Sequence, residues 1–401
     1  MNYQQTVNWL FNQLPVYQNE GIFKYKVDLQ SITKVCDQLN NPQNNFKSIH
    51  VAGTNGKGSS SHMLSSVFQE AGLKVGLYTS PHLVDFRERI KLNGSKVEKK
   101  FVVDFIDSNI EFFSNNKISF FEMTVAMAFD FFSKSKVDIA IIETGLGGRL
   151  DATNIINPLI SLITNIGLDH KEFLGESLIE IAREKAGIIK PGIPIVISEF
   201  QNEIFQLFEE RAKELNSAIY ISDHQKKLKT DLLGNFQNKN INGVLKVISL
   251  LKEFNISNKS INRGFLNVKK NTGLIGRFQI LSKSPMVICD VGHNLEAFNE
   301  ICKELESIRY QNLKLVLGFV QGKNFNKILD LLPKSAEYYF CSPNLSRALD
   351  IKELKNYSID NGINSTFHKS VKEAYKCALQ NCNKNDLLFI GGSNFTVAEI
   401  L

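Results

Sequence analysis

The sequence predicts a two-domain α/β protein built on mainly parallel, doubly wound sheets. Short apolar runs alternate with helical patterns along the chain. The runs are near-continuously apolar, and a short polar stretch at Leu281–Ser284 separates a long series of such units from a shorter one. Strand–helix alternation implies parallel strands joined by crossovers, and unbroken apolar strands need cover on both faces. A chain of 401 residues, 43% of them hydrophobic, can bury two cores and is too long for one ordinary core.

In the first series, Ser48–Ala52 is closed by Gly53 and Lys74–Thr79 by Ser80-Pro81. Val137–Ile142 ends at Glu143 and a glycine-rich loop. Ser161–Ile166 ends just before Asp169-His170, and Pro194–Ile197 is shorter. The second series has strands Met286–Cys289, Leu313–Leu317, Glu337–Phe340 and Asp386–Ile390, with helical patterns such as Glu296–Ile308 and Val371–Asn381 between them. The expected domains are 1–282 and 283–401.

Charged residues make up 22% of the chain, as in a globular protein, and the net charge is +6. Lys and Arg are scattered, without a dense basic run interleaved with aromatics. That pattern suits solubility or a small polyanionic ligand and argues against nucleic acid. Cys36, Cys289, Cys302, Cys341, Cys377 and Cys382 form no C-x-x-C pair, so reduced thiols are expected in place of a disulfide frame or zinc site. The first 15 residues lack an apolar signal core, and no stretch approaches the roughly 18 apolar residues of a membrane span. A cytoplasmic protein is expected, with small-molecule partners, no membrane partner and a monomeric state.

Gly53-Thr54-Asn55-Gly56-Lys57-Gly58-Ser59 follows a predicted strand and opens the helical pattern Ser60–Ala71. This is the context of a phosphate loop. Glycines let backbone N–H groups turn towards phosphate oxygens, the helix N-terminus adds its dipole, and Lys57 supplies a point charge. The match to G-x4-G-K-[ST] is inexact: Val51 stands at the first Gly position, and Gly58 separates Lys57 from Ser59. The bland alternative is a glycine-rich turn with one exposed lysine.

Ser80, Glu143 and His170 each follow a strand end, and open α/β sheets bind ligands there. Hard oxygens with one imidazole suit Mg²⁺ or Mn²⁺ near phosphates. Singly, a serine before proline is a turn residue, a glutamate after a strand is solvated, and a lone histidine is structural. Their joint occurrence beside a phosphate loop is what favours a site. Gly145-Leu146-Gly147-Gly148-Arg149 is either a flexible loop or a place of close backbone approach, and Asp151, Ala152, Thr153 and Asn154 have the small polar character of a substrate lip. Lys185 lies in the predicted helix Glu180–Ile188, where pattern alone makes it a solvated residue.

Eight segments together carry a resemblance: HVAGTNGKGS (50–59), TSPHL (79–83), FFEMT (120–124), ETGLGGRLDATN (143–154), GLDH (167–170), IAREKAGIIKPG (181–192), GRFQ (276–279) and DVGHN (290–294). In this order and at these spacings the chain resembles the dihydrofolate synthase/folylpolyglutamate synthase family of Mur-type ligases, from about residue 20 to the C-terminus. The resemblance implies a P-loop ATPase domain joined to a Rossmann-like C-terminal domain, with ATP and two Mg²⁺ in the cleft. It makes Ser80, Glu143 and His170 magnesium ligands and Lys185 a carbamate-bearing lysine. Asn240, Arg277 and Asp290 become nucleotide contacts on the adenine, phosphate and ribose sides, with His293 in the same motif as a catalytic candidate. Ser119, Phe121, Asp151 and Ala152 would line the pterin-side pocket, where Phe121 can stack on a flat ring. Ser393 is a weaker candidate for glutamate.

The sequence departs from the family at three places. Leu233-Gly234-Asn235-Phe236 has Phe where His is common. Gly322-Lys323-Asn324 lacks the usual acid, and the last segment reads Gly392-Ser393-Asn394-Phe395-Thr396. The first touches adenine fit and the others glutamate binding. The implied activity is ligation of L-glutamate to dihydropteroate, to the γ-carboxylate of folates, or to both, through an acyl phosphate. The FFE segment followed by Met123-Thr124 leans towards both. Peptidoglycan ligases share the ATPase plan but place a sugar-nucleotide domain ahead of the phosphate loop, which here begins at Gly53. A kinase, or a nucleotide-binding module without turnover, would also carry a phosphate loop of this kind.

Overall fold

The computed structural model describes residues 1–13, 28–222 and 228–401. Residues 20–27, at the start of the resemblance, lie outside them. The chain divides into two compact units, Met1–Asp231 with Gln237–Gly273, and Leu232–Phe236 with Leu274–Leu401.

The first unit is built on an eight-stranded sheet. Its strands are β1 (Ser48–Ala52), β2 (Val75–Tyr78), β3 (Ile90–Leu92), β4 (Ser95–Lys96), β5 (Ile139–Glu143), β6 (Ile160–Ile163), β7 (Ile195–Ile197) and β8 (Ile219–Ile221). They run in the order β4-β3-β2-β5-β1-β6-β7-β8. Every pair from β2 to β8 is parallel, while β3 and β4 add an antiparallel edge. Every residue of β1, β2, β5 and β6 is buried. Helices cover both faces, which explains the unbroken apolar runs. On one face, helix Phe120–Ser135 packs Met123, Met127, Phe129 and Phe132 into a core with Tyr78, Ala140 and Ile142. The strand order places β2, β5, β1 and β6 side by side, so the loops after these four parallel strands leave the same edge of the sheet.

The second unit has a six-stranded sheet of β9 (Gln279–Lys283), β10 (Met286–Cys289), β11 (Leu313–Leu317), β12 (Glu337–Cys341), β13 (Ser365–His368) and β14 (Leu387–Gly391). The order is β13-β12-β11-β14-β10-β9, parallel except for β9. The expected boundary at 282/283 cuts this antiparallel β9–β10 hairpin. Its ladder ties β9 to the second unit, so the division falls after Gly273. Phe236, which stands where the family commonly has His, has its ring edge-on to Phe278 at 6.5 Å and packs against this unit's core.

The longer predicted runs are strands, β1, β10 and β11 with the same bounds. Short strands β3, β4, β8, β9 and β13 have partly polar, partly exposed sequences and do not stand out as apolar runs. No helix among the described residues is long and apolar enough to cross a membrane. All six cysteines are free thiols.

Candidate active site

The phosphate loop connects β1 to helix Lys57–Glu70. Gly53 (φ +148°) and Gly56 (φ +85°) take backbone conformations that L-residues rarely adopt. A Cβ at Gly53 would overlap Thr164 Oγ1, and one at Gly56 would overlap Asn240 Oδ1. Both glycines are therefore required by conformation and by space. The loop is clamped from β6: Asn165 O accepts from Thr54 N at 2.8 Å, and Asn165 Oδ1 accepts from Asn55 N at 2.8 Å. Gly167 N donates to Thr54 Oγ1 at 2.9 Å, and Thr164 Oγ1 donates to Asn55 O at 2.6 Å. The Thr54 and Asn55 amides are thus committed within the protein. Ser60 N makes the first intrahelical bond, to Gly56 O at 2.9 Å. The N–H groups of Lys57, Gly58 and Ser59 in the opening turn are those with no intrahelical acceptor.

Two lysines converge on one carbonyl. Lys57 Nζ donates to Gly53 O at 2.9 Å and to Thr54 O at 3.2 Å. Lys185 Nζ donates to the same Gly53 O at 2.8 Å. Lys185 projects from helix Leu178–Ala186 and is only 4% exposed, contrary to the solvated residue that pattern alone suggests. Burial, then repulsion from Lys57, lowers its ammonium pKa to about 7, against a smaller opposing pull from Asp169 and Asp151. A near-neutral, sequestered amine is the form that can add carbon dioxide.

Ser80 and Glu143 are neighbours. Ser80 N donates to Glu143 Oε2 at 3.3 Å, and the Glu143 carboxylate is 3% exposed at the end of β5. His170 lies beyond β6, in the left-handed region (φ +51°), and stays half-exposed. Its N–H donates to the buried Asp169 at 2.9 Å. The buried Glu143 carboxylate and Ser80 offer hard oxygens of the kind Mg²⁺ or Mn²⁺ takes, and His170 offers an imidazole on the loop after β6. Asn240 is buried, touches the phosphate loop at Gly56 and donates to Gln237 Oε1 at 2.9 Å.

The expected pterin-side residues divide by role. Asp151 is 4% exposed. Its Oδ2 accepts from Gly145 N and Leu146 N at 2.8 Å each, and its Oδ1 from Thr153 N at 3.0 Å and Thr153 Oγ1 at 2.5 Å. These bonds fold the glycine-rich loop back after Glu143. Ser119 caps helix Phe120–Ser135: its Oγ accepts from Glu122 N at 3.3 Å and donates to Glu122 Oε2 at 2.6 Å. That hydroxyl is occupied by a capping box. Ala152 is buried in the core, and the Phe121 ring rests on Gly145.

In the second unit, Arg277, Asp290 and His293 gather at the end of β10. Asp290 Oδ2 accepts from Phe278 N at 2.7 Å and Oδ1 from Gly292 N at 2.6 Å. Burial raises the Asp290 pKa, while Arg277 and these amides oppose the rise. His293 Nδ1 bonds Val291 O at 3.0 Å. Ser393, after β14, caps the short helix Asn394–Ala398 and bonds Thr396 Oγ1 at 2.8 Å. This local bonding competes with a glutamate ligand for its hydroxyl.

The Mur ligase middle domain model matches residues 51–281, and the model of the Mur ligase glutamate ligase domain matches residues 276–394. The dihydrofolate synthase/folylpolyglutamate synthase of Bacillus subtilis is 30% identical over 99% of this chain and 98% of its own length. The chain belongs to the Mur ligase family, in its dihydrofolate synthase/folylpolyglutamate synthase branch. A protein of Haloferax volcanii named "Probable bifunctional folylpolyglutamate synthase/dihydropteroate synthase" is 29% identical over 100% of the chain, which spans only 50% of that relative's length. A solved bifunctional folylpolyglutamate synthase/dihydrofolate synthase with Mn, AMPPNP and L-glutamate bound has the same fold. It has a TM-score of 0.85 and 27% identity, over 98% of this chain and 97% of that one.

Sequence reasoning passes over several residues that shape these loops. Asn165 and Thr164 hold the phosphate loop, and His50 extends the Asp151 network through Thr153, a residue read from sequence only as part of a substrate lip. His50, on β1, bonds Thr153 Oγ1 through Nε2 at 2.9 Å. Because the Thr153 proton is donated to Asp151, His50 must be the donor, which fixes its neutral Nε2–H tautomer. Its Nδ1 is buried without a hydrogen-bond partner. Burial, then the Lys190 charge, lowers its pKa to about 3. The unfolded chain takes up this proton near pH 6.5 and the folded chain only near 3, so stability is fully present above pH 6.5 and falls as pH drops towards 3. A His50→Asn variant is expected to lose part of this acid sensitivity. Urea titrations at pH 7 and pH 4.5 should show a smaller stability difference in the variant than in the natural chain, by about 1–3 kcal/mol. An unchanged difference would contradict the assignment.

Proposed function

We propose that this chain ligates L-glutamate to a pteroate-type carboxylate, using ATP and a divalent metal. The acceptors are dihydropteroate, folate γ-carboxylates, or both. The observation that carries the proposal is the joint placement at one sheet edge of a lysine-bearing phosphate loop, a Ser80–Glu143 pair and a buried, near-neutral Lys185.

In the first step an acceptor carboxylate oxygen forms a bond to the γ-phosphorus as the bond from that phosphorus to the ADP oxygen breaks. In the second, the glutamate amine forms the C–N bond, the acyl carbon–phosphate bond breaks, and the amine's excess proton passes to solvent. Lys57 and the opening amides of helix Lys57–Glu70 bind phosphate oxygens. By the family resemblance, Arg277 is a proposed phosphate contact, Asp290 a ribose contact and Asn240 an adenine contact, with His293 in the same motif as Asp290. Ser80, Glu143, His170 and a Lys185 carbamate would hold the metals, which supply charge neutralisation on the phosphate oxygens. Phe121, Asp151, Ala152 and Ser119 shape the pterin side, Asp151 and Ser119 through the backbone they fix. Ser393 remains the weaker glutamate candidate. The enzyme acts in this proposal as a cytoplasmic monomer, to which the six free thiols lend support for a reducing compartment.

The test is phosphate release with ATP, Mg²⁺ and an acceptor, with and without L-glutamate. Glutamate-dependent release with dihydropteroate, tetrahydrofolate or both is expected. Glutamate-independent release, or none with either acceptor, would refute the ligase assignment.

A further inference from the structure

The first unit holds a buried cation without a counter-ion. Arg89 precedes β3, beside the carboxyl end of β2, and is only 7% exposed. Its backbone is fixed there, because Thr79 N donates to Arg89 O at 3.0 Å. The guanidinium donates Nε–H to His82 Nδ1 at 2.7 Å, and its Cζ lies 5.2 Å from the centre of the Phe120 ring. As an acceptor at Nδ1, His82 offers a lone pair and no negative charge. Among the described residues no carboxylate is within ion-pair distance of Arg89. The adjacent acid, Glu88, has its oxygens engaged by Leu83 N at 2.8 Å, Val84 N at 3.3 Å and Asp85 N at 2.9 Å.

A second polar group lies beside it. Tyr78, the last residue of β2, is 0% exposed, and its buried hydroxyl makes no hydrogen bond of normal geometry but faces the Arg89 guanidinium, to which it is electrostatically coupled. The hydroxyl feels the charges of Arg89, Asp151 and Glu143, so it sits among them. Strand register sets the three together: Tyr78 pairs with Ile142, the residue before Glu143, on one side and with Ile90, the residue after Arg89, on the other. Phe121 lies 6.4 Å from the Tyr78 ring. Burying a guanidinium with only neutral partners, an imidazole nitrogen, the Tyr78 hydroxyl and a ring face, is costly. A planar anion with two acceptor oxygens would satisfy the fork of Arg89 and the Tyr78 hydroxyl together.

We propose that Arg89, oriented by His82 and assisted by the Tyr78 hydroxyl, is the residue that receives the acceptor's carboxylate. The idea rests on the ligase reading above and adds to it the group that binds the reacting carboxyl before phosphorylation. Arg89 lies against Phe120 and within electrostatic reach of Glu143, and the neighbouring Tyr78 has the Phe121 ring 6.4 Å from its own, where the benzoate end of a pteroate would arrive with its ring stacked. In this role Arg89 holds the carboxylate plane, and His82 is a positioning residue acting through Nδ1.

The experiment compares natural chain, Arg89→Gln and Arg89→Lys in two assays. Steady-state kinetics should show KM for dihydropteroate raised at least tenfold in Arg89→Gln, with KM for ATP within about twofold. Direct binding should then compare dihydropteroate with its primary carboxamide. The natural chain should prefer the acid by at least tenfold, Arg89→Gln should lose that preference, and Arg89→Lys should keep part of it. A structural role for Arg89 would weaken acid and amide equally, which overturns the proposal, as does an increase in KM for L-glutamate with no change for the acceptor. Should Arg89→Gln not fold, the acid-over-amide preference of the natural chain and its reduction in Tyr78→Phe and in Arg89→Lys decide the matter: no preference in the natural chain, or an undiminished one in both variants, refutes the idea. Absence of glutamate-dependent phosphate release by the natural chain would instead refute the ligase reading, so the two failures are distinct.

Discussion

Lys57→Ala is expected to lower glutamate-dependent phosphate release by about 10²–10³, or roughly 3–4 kcal/mol of transition-state stabilisation. The effect should fall mainly on turnover. Charge on the transferring phosphoryl group shifts during the reaction, and a fixed ammonium beside it is most useful at the transition state. Lys57 is the first residue of helix Lys57–Glu70, so its charge acts together with the helix dipole at the same place. Its side chain folds back on Gly53 O and Thr54 O, at the mouth of the loop it would serve. Lys57→Arg should recover little, because a planar fork does not replace a compact ammonium in a loop shaped by Gly53 and Gly56. The measurement is kcat and KM for ATP in both variants. Natural turnover in Lys57→Ala would remove the phosphate loop from the account.

Lys185→Ala is expected to have a loss of the same order, about 10²–10³ in turnover, although Lys185 stands on a helix whose pattern reads as solvated. The reason is the burial of its amine on Gly53 O beside Lys57. A buried ammonium there would add a further positive charge to an already positive locus, whereas a carbamate brings an anion that balances Lys57 and supplies oxygen donors. Two readouts separate this role from plain packing. Formate or acetate should restore part of the activity of Lys185→Ala, since a short carboxylate can enter the space left by the side chain. Mass spectrometry of the intact natural chain under carbon dioxide should show one added carbon dioxide, absent from the variant. Carbamate formation needs the neutral amine, so occupancy should rise as pH passes upward through about 7. No rescue and no adduct would leave Lys185 as a structural residue.

Much of the fold is legible because the central strands are buried on both faces. SIHVA, VGLY and IAIIE are apolar enough to be found by composition, and their loops carry the expected chemistry at one edge. Edge strands escape detection. The residues of β4 and β9 are polar or alternate because water reaches them, β3 is only three residues long and interrupted by the buried Lys91, and β9 reads as a linker although its ladder with β10 makes it part of the second sheet. The site divides along a similar line. Lys57 and the glycines announce themselves by spacing. Lys185 emerges by resemblance alone, since its depth depends on which helix face meets the sheet. Asp151 and Ser119 read as substrate contacts, and their side chains prove to be taken up in loop and cap bonding. Arg89 gives no signal at all: an arginine in ERI is ordinary until the fold buries it without an acid.

The most direct test of the central claim is a crystal structure of the chain grown with Mn²⁺ and AMPPNP, with anomalous scattering used to locate the metal. The account predicts the triphosphate on the opening turn at Lys57–Ser59 and manganese within ligand distance of Glu143, Ser80 and His170. Triphosphate elsewhere, or manganese away from Glu143, would contradict it.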